Sequence, residues 1–341
     1  KEDLDFIIII QVTFTDSSTL LKIASCLEKP IGIWAFPEPR QSGRLRLNAF
    51  CGLNLASHTL GLNNIPFSWI YENPENIEET KFEILINSNN SQRPEKILEI
   101  PSLGSKKAKS IKEKIHNFKI GKIGSHPDGF DTCKYDQKKL MGLCGITVDE
   151  IEIDTFLNNS RNVKSEVIEP TLNKLKRTIS SLKEVNQKEL ILSLKLEKSL
   201  KKLKEDGTYN AFAIRCWPEM FTEYGGAICA PASMLTENKV PCACEADVYG
   251  AVTQLILQEV SGQPVFLTDI VDIDVDDDTG VFWHCGQAPI SMCNPKIKPT
   301  ATIHSNRKMP LLFEFPLKEG VVTMMRISQS FGEQKMVVSK G

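Results

Sequence analysis

The sequence predicts an α/β chain in which two doubly wound parallel-sheet domains are followed by the start of a β-rich C-terminal domain. Three observations carry that expectation. Asp5 to Gln11, with four consecutive isoleucines, and Pro30 to Phe36 are short runs that are apolar throughout. That is the pattern of parallel strands covered on both faces. The same strand and helix alternation restarts at Phe118-Lys-Ile-Gly-Lys-Ile-Gly124. Beyond Gly286 the helical signal fades and residues alternate in polarity, as antiparallel strands do.

The elements follow in order. Asp16, Ser17 and Ser18 offer N-cap oxygens to a helix from Thr19 to Leu27, so the opening reads as a βαβ unit. A polar loop from Pro37 to Asn48 carries Arg40, Arg44 and Arg46, either toward a substrate or subunit contact or simply into solvent. Ala49 to Leu60 reads as a helix in which His58 is a core or surface residue, and Asn63 to Asn76 and Lys81 to Asn89 read as strand-like patches. Lys106 to Ile115 is a basic helix with a solvated face. Asp136 to Leu143 reads as a helix stopped by Gly145, and Ile146 to Ile153 as a strand. Thr171 to Leu203 is Lys-rich and lacks a sustained apolar heptad, so it reads as two surface helices interrupted near Asn186. Tyr209 to Ile214 is a strand and Gly225 to Leu235 a helix. Residues 300–304, 311–315 and 320–328 are the antiparallel strands. These elements divide the chain into 1–117, 118–262 and 263–341.

Charge excludes some functions. With 41 basic and 43 acidic residues and a net charge of −2, nothing argues for nucleic acid or an anionic membrane as partner. The longest apolar run, Phe6 to Ile10, is far short of the roughly 20 residues of a membrane helix. Ten cysteines scattered through apolar segments, with no leader before them, fit a reducing cytoplasm.

Chemistry concentrates in residues 240–286. Val240 to Cys244 reads as a buried strand, Val248 to Val260 as a helix, Val265 to Leu267 as a second strand, and Val281 to Trp283 as a third. Glu245, Asp269 and His284 stand at the ends of these three strands. In open α/β sheets that end faces the ligand crevice. Taken singly, an acidic residue after a strand is commonly a helix cap or a solvated turn. Three converging on one crevice form a site for a divalent cation such as Mn²⁺, Mg²⁺ or Zn²⁺. The aspartates from Asp272 to Asp278 do not make a calcium loop, because its glycine and glutamate positions hold Asp277 and Trp283; they read as a solvated acidic turn. Cys242, Cys244 and Cys285 lack the spacing of a structural zinc site and read as buried thiols. Gly121 and Gly124 do not make a dinucleotide cradle, and His126 reads as a turn residue.

The segments Cys-Glu245-Ala-Asp-Val-Tyr-Gly-Ala-Val-Thr, Leu-Thr-Asp269-Ile-Val-Asp and Gly-Val-Phe-Trp-His284-Cys-Gly resemble the L-fucose / L-arabinose isomerase superfamily, nearest its fucose-isomerase-like branch. The likeness extends more loosely over most of the chain. It implies two flavodoxin-like domains before a β-rich one, and a homo-oligomer, hexameric or trimer-based, whose first domain lines a neighbouring subunit's site. It implies a Glu and an acidic residue about two dozen positions later, matched by Glu245 and Asp269, that bind Mn²⁺ and flank C1 and C2 of a free sugar. His284 answers to a metal or substrate ligand in the arabinose-isomerase pattern. The fucose-isomerase pattern uses a late histidine that nothing after His304 supplies, so the chain reads as a fragment lacking both termini, inactive alone.

Arg215, Trp217 and Glu219 close the picture as substrate-binding candidates. Trp217 offers a flat apolar face to a sugar ring, and Arg215 and Glu219 offer donors and acceptors to hydroxyls; alternatively Trp217 is core. The expected activity is aldose–ketose isomerisation of a sugar such as L-fucose, L-arabinose or D-arabinose, with Glu245 and Asp269 as both metal ligands and acid/base pair. A non-catalytic sugar-binding relative and a metal-dependent epimerase or lyase are the alternatives.

Overall fold

A computed structural model describes residues 4–41, 44–87, 105–330 and 333–341. In the first sheet, β1 (Ile7–Gln11), β2 (Ile31–Ala35) and β3 (Phe67–Tyr71) run parallel in the order β1-β2-β3. The crossover helices α1 (Ser18–Leu27) and α2 (Ala49–Leu62) bury Leu20, Ala24, Leu53, Ala56 and Leu60 against it. A third helix, α3 (Glu79–Asn87), sets Leu85 over Gly32, where a Cβ would lie 2.9 Å from the leucine. Segment 81–87 is therefore helical and not strand-like: its Phe82, Leu85 and Ile86 recur at helical spacing. Residues 88 and 89 lie outside the described segments. β1 is not covered on both faces. It is the sheet's edge strand, and Ile8 and Ile10 remain 38% and 56% exposed.

The second sheet has the order β5-β4-β6-β7, all parallel. After α4 (Lys106–Ile115) come β4 (Lys119–Ile123), α5 (Gln137–Cys144), β5 (Thr147–Ile151), α6 (Ile153–Arg161), α7 (Ser165–Thr178) and α8 (Gln187–Gly207). Then follow β6 (Ala211–Ile214), α9 (Cys229–Glu237), the two-residue β7 (Cys242–Ala243) and α10 (Val248–Ser261). Asp136 caps α5 through Lys139 N, and Gly145 ends it at φ 72°, a left-handed turn that suits glycine. One face of the sheet packs on α10, α4 and α5 through Ile115, Leu140, Val248, Val252 and Leu255. The other packs on α6, α8 and α9 through Phe156, Leu196, Leu200 and Leu235. α8 is thus not a surface helix. Its lysines point outward while Leu190, Leu194, Leu196, Leu200 and even Glu197 are buried, because the helix lies between the sheet and α7. Asn186, where the helical pattern breaks, caps it.

The carboxyl-terminal part is antiparallel: β8 (Asp269–Asp274) with β9 (Thr279–Trp283), β10 (Thr300–Thr302) with β11 (Leu312–Glu314), and β12 (Thr323–Ser330) with β13 (Glu333–Lys340). The fold is the expected α/β architecture with a β-rich end. Two local expectations change. Residues 265–268 form no strand, so Asp269 begins a strand instead of ending one. Asp272 is not a solvated turn residue: it is 1% exposed, accepts from Tyr71 Oη at 2.5 Å, and faces Arg40 Nη2 at 3.1 Å, which also reaches Asp274 at 3.0 Å. Asp276 and Asp277 do form the exposed hairpin turn. No helix among the described residues is long and apolar enough to cross a membrane.

Candidate active site

Adjacent parallel strands deliver the first part of the site. Phe212 and Ala213 of β6 pair with Cys242 and Ala243 of β7, so the residues that follow both strands emerge at the same end of the sheet. Cys216 and Glu245 meet there, the thiol 3.4 Å from Glu245 Oε1. Glu245 sits in left-handed backbone (φ 53°, ψ 24°), and Ala246 after it is also at φ 53°. For a residue with a Cβ this conformation is strained, and such strain is concentrated at functional sites. It turns the Glu245 carboxylate off the strand axis before α10 starts.

The β8–β9 hairpin supplies the second part. Asp269 pairs with Trp283, so His284, one residue on, lies beside Asp269. The N-terminal domain closes against the same hairpin: Cys51 of α2 donates to Ile270 O at 3.2 Å, and burial and the Asp269 carboxylate push its thiol pKa up.

Electrostatics mark Glu245 and Asp269 as unlike their neighbours. Burial raises Glu245 well above the usual carboxylate range, and the Cys216 thiol and Asp269 raise it further. The Asp269 side chain is open to water on one side, yet the protein packed around it raises its pKa too, against the pull of His284. Among the described residues no cation stands within 4.0 Å of either carboxylate. Burial lowers the His284 pKa, but Cys285 and Asp269 outweigh it and hold the imidazole at about 9. Its Nδ1 faces Cys285 Sγ at 3.7 Å. Two residues beyond Glu245, Asp247 is held differently. It caps α10 by accepting from Gly250 N at 2.8 Å and takes a bidentate pair of bonds from Arg326 on β12. A Cβ at Gly250 would lie 2.5 Å from Asp247 Oδ2, so this pair requires the glycine.

Two carboxylates and an imidazole are a donor set suited to a hard or borderline divalent cation. A cation would also favour the ionised form of both carboxyls, which desolvation disfavours first. The donor atoms share the crevice without closing on one point: Glu245, Asp269 and His284 do not lie mutually within 4.8 Å. Among the described residues the trio that does is Cys216, Cys244 and Glu245.

The remaining sequence candidates are placed elsewhere. Arg215 pairs with Glu219 at 2.7 Å and donates to Ser125 O and His126 O, so it clips the turn after β4. Both line a pocket of about 210 Å³ whose other walls are Gly124, Ser125 and residues 150–153. Trp217 meets Phe130 edge-on at 5.5 Å and carries the Arg307 guanidinium 5.3 Å over its ring. Its partners already cover much of it. His304 accepts from Asn306 N and Arg307 N in a local turn. Sequence reasoning does not single out Cys51, Cys216, Arg326 or the clustering of Cys244 with Cys285. They come from separated segments, and the signal available is the apolar run ending in Cys216.

Comparison with known proteins agrees with this arrangement. Residues 1–91 match the model of a family described as fucose/sulfoquinovose isomerase, N-terminal domain. A sulfoquinovose isomerase of Priestia megaterium (strain ATCC 12872 / QMB1551) is 28% identical over 339 residues, which is 99% of this chain and 72% of the relative. One from Alkalicoccus urumqiensis is also 28% identical, over 341 residues and with the same shares. A third, from Clostridium sp. (strain MSTE9), is 26% identical over 311 residues, 91% of this chain and 65% of the relative. These matches give no support to the expectation of a fragment. With its parallel sheets and antiparallel end, and with relatives aligned along nearly its whole length, the chain is similar to the fucose/sulfoquinovose isomerases and is an aldose–ketose isomerase.

Proposed function

We propose that the enzyme interconverts a free aldose and its ketose with a divalent cation, Mn²⁺ first, held by Glu245, Asp269 and His284. The observation that supports this reading is the pair of carboxylates, delivered by separate elements, that make no ion pair within 4.0 Å among the described residues and whose pKa values are both raised, Asp269 against the pull of His284 and Arg326. When bound, the cation supplies Lewis acidity to the sugar carbonyl and the adjacent hydroxyl.

The chain's residues do the rest. One carboxylate removes the proton from C2 of the aldose, giving a cis-enediol(ate), and a proton is returned to C1 to give the ketose. The other carboxyl exchanges protons with the sugar oxygens. A raised pKa suits this work, because it strengthens the carboxylate as a base and keeps the carboxylic acid present at higher pH. His284 orients a sugar oxygen or completes the cation's ligands. The substrate named for the relatives, sulfoquinovose, is the first aldose to try, beside L-fucose, L-arabinose and D-arabinose.

The test strips metal with a chelator, restores Mn²⁺ and measures ketose formation from these sugars with the wild-type protein, Glu245→Gln and Asp269→Asn. Turnover that returns with Mn²⁺ and is lost in both variants supports the reading. Turnover that persists in either variant, or that never depended on added metal, refutes it.

A further inference from the structure

Four thiols from four segments gather beside Glu245. Cys216 follows β6, Cys229 opens α9, Cys244 follows β7, and Cys285 follows β9. Cys216 and Cys244 are 5% and 0% exposed, and their sulfurs lie within 4.8 Å of each other and of a Glu245 carboxylate oxygen. Cys244 also contacts Cys285, whose sulfur stands 4.0 Å from that of Cys229. Gln287, 4% exposed, turns its Nε2 to Cys244 Sγ at 2.8 Å, while its Oε1 has no partner. Cys242, two residues before Cys244, is outside the cluster: its thiol donates to Val240 O.

We infer that Cys216, Cys244 and Glu245, with Cys285 as fourth donor, form a site for a thiophilic cation such as Zn²⁺ or Cd²⁺ that competes for Glu245 with the hard cation of the isomerase site. Tetrahedral zinc with bonds of about 2.3 Å to sulfur and 2.0–2.2 Å to carboxylate oxygen places its donors roughly 3.5–3.8 Å apart. Donors already within 4.8 Å need only small side-chain rotations to reach that spacing. Thiolates select soft or borderline ions, whereas the Glu245, Asp269 and His284 set suits hard ones. An N–H directed at a ligating sulfur is the kind of outer contact that steadies a thiolate ligand, and Gln287 supplies one. The spacing of Cys242, Cys244 and Cys285 conceals this site, because its ligands are brought together by sheet order instead of by a short sequence motif. Glu245 belongs to both sets, so a soft cation held by the thiols occupies the carboxylate that the hard cation needs. This competitive consequence rests on the function proposed above; the cation site itself does not.

The experiment titrates chelator-treated full chain with Cd²⁺, reading the ultraviolet Cd–thiolate charge-transfer band, with free Cd²⁺ measured by dialysis. One Cd²⁺ per chain with a thiolate band is expected. Cys244→Ser should abolish the band and Cys216→Ser should weaken binding about 10–100-fold, with unchanged far-ultraviolet dichroism confirming that each variant folds. Glu245→Gln should weaken it as well, while Cys293→Ser and Asp269→Asn should leave it as in wild type. Absence of the band, its survival in Cys244→Ser, or equal affinity in Glu245→Gln overturns the proposal. A second series adds Zn²⁺ to the Mn²⁺-restored enzyme. Inhibition that Cys244→Ser relieves is expected, and inhibition unchanged in that variant overturns the competition. If no sugar turns over, the proposed function fails while the Cd²⁺ result stands on its own.

Discussion

Glu245 and Asp247 are two residues apart, and Asp269 and Asp272 three, yet within each pair the protein treats the carboxylates in opposite ways. Asp247 has Arg326 and the amino end of α10; Asp272 has Arg40, Tyr71 and a backbone N–H from Glu38. Glu245 and Asp269 have no ion pair within 4.0 Å among the described residues, and both are pushed up in pKa, first by desolvation, Asp269 against the pull of His284 and Arg326. A carboxylate without an ion pair opposes folding in proportion to its burial, which is partial at Glu245 and slight at the exposed Asp269. The compensated members hold the elements in place, and the uncompensated members are kept ready for something that binds. The contrast predicts that substitutions at the two kinds of position separate activity from stability.

The largest effects are expected at the uncompensated members. Glu245→Gln and Asp269→Asn should each lower Mn²⁺-restored isomerisation about 10²–10⁴-fold. The metal-free protein should be no less stable for either change. An activity loss that merely tracks a fall in melting temperature would mean these carboxylates are structural, and the contrast would collapse.

Next come Asp247 and Arg326. Arg326→Met leaves the buried Asp247 without its counter-ion, and Asp247→Ala removes the partner and a helix cap together. Each should cost about 3–5 kcal/mol in urea unfolding. Asp247→Asn keeps a capping oxygen and should lose less than Asp247→Ala by about 1 kcal/mol. Loss of activity without loss of stability at Arg326 would move that residue into the chemistry.

Much of this is legible in the order of residues alone, and the limits have physical causes. β2 and β6 announce themselves because covered strands are apolar at every position, while the edge strands β1 and β5 keep an exposed face. Glu245, Asp269 and His284 can be picked out because each borders such a run. What cannot be read along the chain is which carboxylate is compensated. Arg326 lies 79 residues beyond Asp247, and Arg40 lies more than 230 before Asp272; only the packing of β12 on α10, and of the first domain's loop on β8, brings them together. For the same reason Asp272 looks like one more aspartate of an acidic turn. The thiol cluster is hidden likewise, since β6, β7 and α9 supply its members from across the chain. The lysines of α8 conceal its apolar stripe, whose leucines recur among charged residues on the opposite face.

Tyr71 tests the compensated side at smaller scale. Its hydroxyl donates to Asp272 Oδ1 at 2.5 Å and joins β3 of the first domain to β8. Tyr71→Phe removes a hydrogen bond to a charged group and should cost about 1.5–3 kcal/mol. Arg40, whose side chain is 53% exposed, shares the same aspartate across a partly hydrated gap, so Arg40→Met should cost only about 0.5–1 kcal/mol. If Arg40→Met proves as damaging as Tyr71→Phe, the loop carries more of the domain contact than its exposure implies.

The smallest effect is also the most diagnostic, because it has a sign. As pH rises through the ordinary carboxylate range, Glu245 ionises in the unfolded chain while the folded protein still holds its proton, since its folded pKa is raised. The group's favourable contribution is therefore fully present below that range and is lost as pH climbs through the folded value. Glu245→Gln has no such proton to hold. In metal-free protein the variant should gain on wild type as pH rises, read as a difference in melting temperature that grows with pH. Asp247→Asn, measured the same way, should lose stability. If both curves move together, the two carboxylates are compensated alike, and the division on which the proposed site stands is gone.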